Sequence, residues 1–96
     1  MDTRTTITTT LSAAKPALLG RFPIKHLAIF GSISRGDDTP ESDVDIMVEF
    51  SEPVGMEFIH LALELEKILR RKVDLVSRGG IKPKYFAVIQ PDLIYV

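Results

Sequence analysis

Gly31-Ser32-Ile33-Ser34-Arg35-Gly36-Asp37-Asp38-Thr39-Pro40-Glu41-Ser42-Asp43-Val44-Asp45 is the stretch on which the fold turns. An apolar run, Leu27-Ala28-Ile29-Phe30, leads into it, and alternation continues after it through Ile46, Met47, Val48, Glu49 and Phe50. Ile24 to Phe30 therefore reads as a strand, and Ser32 to Arg35 as a short helix opening from a turn at Gly31. Asp37 to Ser42 holds Asp, Thr, Pro and Ser, a loop composition. Asp43 to Phe50 reads as a second strand. Successive strand residues point to opposite faces, so Val44, Ile46, Val48 and Phe50 share one side, and Asp43, Asp45, Met47 and Glu49 the other.

Working outward, Ser51 to Gly55 is a turn and Met56 to Arg71 a helix. Glu57, His60, Glu64, Lys67 and Arg71 form its polar stripe; Phe58, Leu61, Ala62, Leu65, Ile68 and Leu69 form the apolar face. Lys72 to Val76 reads as a third strand, with Val73 and Leu75 opposite Asp74. After a turn at Ser77 to Gly80, Pro83 suits the first turn of a helix reaching Ile89, and Leu93 to Val96 reads as a last strand. Toward the N-terminus, a short helix over Leu11 to Leu19 around Pro16 is expected, with Met1 to Thr10 as a frayed end. The pattern predicts a small α/β (α+β) fold in which helices cover the apolar face of one mixed sheet. The other face is left open and carries the acids, since one-sided alternation belongs to mixed or antiparallel sheets.

The chain has 96 residues, the length of one domain, and at this size folding buries roughly 60–65% of the unfolded surface. Twelve Lys and Arg face thirteen Asp and Glu, a net charge of −1 that argues against nucleic-acid binding by the whole surface. Ten of the thirteen acids lie between Asp37 and Glu66, and six of the twelve bases between Arg70 and Lys84. That basic segment could face an acidic partner or be ordinary solvated charge. The absence of cysteine excludes disulfides, thiol catalysis and Cys-ligated zinc and fits a reducing cytoplasm. Met1 to Thr10 lacks the apolar core of a signal peptide. No apolar run approaches the roughly 18–20 residues that span a bilayer.

Asp43 and Asp45 carry the chemistry. Residues two apart on a strand share a face about 6.6 Å apart, so two carboxylates can converge on divalent ions. Hard oxygen ligands favour Mg²⁺ or Mn²⁺, and two-metal sites hold their ions about 3.5–4 Å apart. Asp74 supplies a third acid if its strand lies beside the Asp43 strand. Glycine at 31 lets the backbone approach a phosphate, and the helix start beyond it offers free N–H groups. Ser32 adds a hydroxyl, and Arg35 either reaches a triphosphate or pairs with Asp37, Asp38 or Glu41. Ser42 either touches the nucleotide or shapes its loop. His26 and His60 read as surface or edge residues, Tyr85 and Tyr95 as packing residues.

Gly-Ser, a spacer of about ten, then Asp-x-Asp resembles the signature of the DNA polymerase β-like nucleotidyltransferase superfamily. The chain looks most like its stand-alone minimal nucleotidyltransferases over about Ile24 to Val96. The matching positions are Gly31, Ser32, Arg35, Gly36, Ser42, Asp43 and Asp45, with Asp74 as the third acid in a Val-Asp-Leu setting. The resemblance implies metal-dependent transfer of AMP from ATP to a hydroxyl. It also implies a protein partner, because many such proteins are antitoxins that adenylylate a tyrosine of an all-helical HEPN-type toxin. The competing expectation is a binding antitoxin of the same fold that silences its partner by complex formation alone.

Overall fold

The computed structural model describes residues 2–96. Helix α1 spans Thr3–Arg21, strand β1 Ile24–Phe30, helix α2 Gly31–Arg35 and strand β2 Val44–Phe50. Helix α3 (Glu57–Leu69) and strand β3 (Val73–Ser77) follow, then a 3₁₀ turn at Arg78–Gly80. Helix α4 (Pro83–Ile89), a second 3₁₀ turn at Gln90–Asp92 and strand β4 (Ile94–Tyr95) complete the chain. The four strands form one sheet in the order β3-β2-β1-β4. β1 is antiparallel to β2 and β4, and β2 is parallel to β3. A parallel pair needs a long crossover, and α3 supplies it.

The first face of the sheet buries the alternating set of β2. Val44, Ile46 and Val48 join Leu27 and Ile29 of β1, all fully buried, under α1 and α3. From α3, Leu61, Leu65 and Leu69 point inward, four residues apart, one stripe of an amphipathic helix. Its last turn closes on Arg70 in the left-handed region at φ 53°, the one non-glycine residue with positive φ among the described residues.

Two expectations need correction. Thr3–Thr10 is helix rather than a frayed end, and Met1 lies outside the described residues. The Asp2 carboxylate caps this helix by accepting the Thr5 N–H at 2.8 Å. Thr6, Thr8 and Thr10 donate their hydroxyls to carbonyls four residues back. Threonine favours helix weakly and proline costs an interior helix about 3 kcal/mol, yet α1 runs through Pro16. Burial of Ile7, Leu11 and Leu18 on one stripe outweighs both.

The second correction concerns the face expected to be open. Helix α4 lies on it, where Ile89 and Phe86 pack with Leu93, Ile81 and Val76 over Ala28, Phe30 and Met47. Met47, placed on the exposed side by alternation, is 1% exposed. Helices thus cover both faces of the mixed sheet, and the acid-bearing face stays accessible only beyond α4. No helix among the described residues is long and apolar enough to cross a membrane.

Candidate active site

Strand pairing brings the acids together. In the parallel ladder Asp45 stands beside Asp74, and in the antiparallel one it stands beside Phe30. Asp43 precedes β2 rather than lying within it. The β2–β3 ladder starts one residue later, where the Val44 N–H donates to Lys72 O at 2.9 Å. Asp43 and Asp74 are exposed and Asp45 is half-buried. Burial raises the Asp45 proton affinity, and the Asp74 and Asp43 charges raise it further against a smaller opposing effect of Arg35. Among the described residues none of the three acids has a salt-bridge partner; the ion pairs engage Glu64, Glu49, Asp37 and Asp92. No three His, Asp or Glu side chains among the described residues converge tightly enough to ligate one ion as they stand. The donor set is nonetheless all hard oxygen and, among the described residues, without a salt-bridge cation of its own, which suits a divalent ion.

Gly31 is required twice over. Its φ of 76° lies in the left-handed region, and a Cβ built on it would overlap the Asp45 carboxylate. Glycine here lets the β1–α2 turn close directly against the acid. Gly36, at φ 82°, ends α2; its N–H donates to Ser32 O at 2.9 Å. Next to Gly31, a cavity of about 320 Å³ is walled on one side by Ser32, Arg35 and Asp45 and on the other by Tyr85, Val88 and Ile89 of α4.

Arg35 is about half exposed and holds Asp37 through Nε at 3.1 Å and Asp92 through Nη1 at 3.0 Å. Its side chain remains on the cavity wall. Ser42 is engaged in its own loop, where its hydroxyl accepts the Thr39 N–H at 2.9 Å. Sequence reasoning missed the residues that pin the acids' backbone. Arg71 Nη2 donates to Ser42 O at 2.6 Å, immediately before Asp43. Glu66 accepts the Val73 N–H at 3.0 Å, immediately before Asp74. Helical periodicity puts Arg71 on the polar stripe and gives Glu66 no role, because no local pattern marks a side chain that reaches a neighbouring strand's end. Ser34, buried, donates its hydroxyl to the Asp92 carbonyl and so ties α2 to the turn after α4.

Comparison with known proteins agrees with this geometry. A Methanocaldococcus jannaschii chain provisionally named a protein adenylyltransferase is 44% identical over the full length of both chains. A solved structure provisionally called a minimal nucleotidyltransferase superposes with a TM-score of 0.81 at 30% identity, covering 98% of this chain and 95% of the other. A structure of a tri-AMPylated Shewanella oneidensis HEPN toxin with its MNT antitoxin shares the fold, with a TM-score of 0.70 at 20% identity over 93% of this chain and 70% of that one. Residues 11–95 match the family described as the nucleotidyltransferase domain. The Gly-Ser turn, the paired acids and these likenesses converge, and the chain is a member of the nucleotidyltransferase domain family.

Proposed function

We propose that this chain is a metal-dependent protein adenylyltransferase that moves AMP from ATP to a tyrosine hydroxyl of a HEPN-type toxin, acting as its antitoxin. The observation that carries the reading is the register that stands Asp74 beside Asp45, with Gly31 closed against the same carboxylate. The names of the adenylyltransferase relative and of the toxin–antitoxin complex support the acceptor class. Asp43 and Asp45 would hold Mg²⁺, two ions or Mn²⁺ in their place, with Asp74 completing the set. A bound divalent ion neutralises charge on the transferring phosphoryl group and the leaving oxygen.

The remaining steps belong to the chain's own residues. Gly31 and Ser32 cradle the triphosphate, and Arg35 stands at its edge, drawn from Asp37 and Asp92. Ser42 holds the turn immediately before Asp43 through its bond to the Thr39 N–H and would contact the nucleotide from there. The acceptor oxygen attacks the α-phosphorus in line as the bond to the bridging oxygen breaks and pyrophosphate leaves. The hydroxyl proton passes to Asp74, the one exposed residue of β3. The test is intact-mass spectrometry of the HEPN-type partner after incubation with this protein, Mg²⁺ and ATP. AMP increments that vanish with Asp43→Asn are expected. A silenced partner of unchanged mass, silenced equally by Asp43→Asn, would instead identify a binding antitoxin.

A further inference from the structure

The chain contains two tyrosines, and the fold sends them to different places. Tyr95 is 56% exposed, on β4 beside Ala28, with its ring edge-on to His26 at 5.8 Å. Tyr85 is 48% exposed and lines the same cavity as Gly31, Ser32 and Asp45. A tyrosine, the residue type that accepts AMP in the proposed reaction, therefore already contributes to the wall of the site that would perform it. Holding a nucleophile and a reacting phosphorus in one cavity makes their encounter intramolecular, an advantage that reaches effective molarities of about 10⁵ M or more when the alignment is good.

We infer that Tyr85 is a site of self-adenylylation, used when no partner supplies an acceptor. The inference rests on the adenylyltransferase reading above. Tyr85 Oη forms the new bond to the α-phosphorus of ATP, the bond to the bridging oxygen breaks, pyrophosphate leaves, and the phenolic proton passes to Asp74. The product is a phosphodiester joining Tyr85 to AMP. The bulky adduct sits in the wall of the cavity and obstructs the next nucleotide, so the chain alone performs one turnover and then stops. A partner whose own tyrosine enters the cavity competes with this dead-end reaction.

The experiment is incubation of the full chain with Mg²⁺ and ATP, without partner, read by intact mass and by fragmentation of its peptides. One AMP increment on the peptide containing Tyr85 is expected. It is lost completely in Tyr85→Phe, retained in Tyr95→Phe, and the fraction modified per unit time is unchanged on dilution. Three results would overturn the inference: an increment that persists in Tyr85→Phe, one carried by Tyr95, or an unmodified chain that still adds AMP to the partner. Failure to modify either protein would refute the adenylyltransferase reading itself, and the inference with it.

Discussion

Replacing Gly31 by alanine separates two roles of one glycine. At φ 76° a residue with a Cβ costs about 1–2 kcal/mol. For a domain of this size each kcal/mol lowers Tm by roughly 4–8 °C, so the backbone effect alone is a drop of about 4–16 °C. Gly31→Ala also forces the new methyl into the Asp45 carboxylate, so the acid must rotate or the β1–α2 turn must shift. Gly36 provides the matched control. Its φ is 82°, yet an added Cβ there meets nothing within 4 Å. Gly36→Ala should therefore show a similar loss of Tm and retain most of its AMP transfer at a temperature where both variants are folded. Gly31→Ala should melt lower still and lose transfer by at least about tenfold, the rate cost of 1.4 kcal/mol in the barrier. Thermal melts followed by circular dichroism and initial rates of AMP transfer measure both quantities. Equal melting temperatures and equal rates for the two variants would refute the claim that Gly31 exists to let Asp45 close on the turn.

Asp45→Asn should raise Tm at neutral pH while abolishing transfer. The folded state holds this carboxyl's pKa above its ordinary value, so ionisation penalises the native state. That penalty is absent below about pH 4 and grows as pH rises through the folded pKa; melts across this range should show the gap between variant and parent opening upward. Val44→Asp, one residue away but fully buried, should cost more than about 4 kcal/mol by placing an unpaired charge in the core, and far-UV circular dichroism should find it unfolded. Arg71→Ala removes the donor to Ser42 O. It should cost about 1.5–3 kcal/mol, the range for a hydrogen bond to a charged group, and lower kcat for AMP transfer with less change in KM for ATP.

The central part of the molecule was readable because its signals are local. Alternation from Val44 to Phe50 marked the strand and its buried face, and the Gly-Ser and Asp-x-Asp spacing placed the turn and the acids. What escaped depends on partners distant in sequence. Thr3–Thr10 looks polar, and its helix depends on burial of Ile7 in the core beneath it, a contact with residues distant in sequence. Met47 looked solvent-facing because nothing within β2 announces that Ile89 and Phe86 will lie over it. Arg35 was legible as a cation near the turn, whereas its hold on Asp92 joins residues far apart in the chain. The same holds for Arg71 and Glu66, whose partners are the backbone ends of other elements.

The position of Asp74 on β3 has a consequence for how the molecule loses its chemistry. β3 is a border strand, hydrogen-bonded to β2 alone, so a local opening there breaks one ladder rather than two and costs less than opening an interior strand. Asp45 belongs to an interior strand held from both sides. The two carboxylates therefore reside in regions of unequal protection, and fraying of β3 would separate them while the β1–β2 ladder stays intact. On warming, competence for transfer should fade ahead of cooperative melting, and during synthesis it should arrive only after the crossover through α3 has closed.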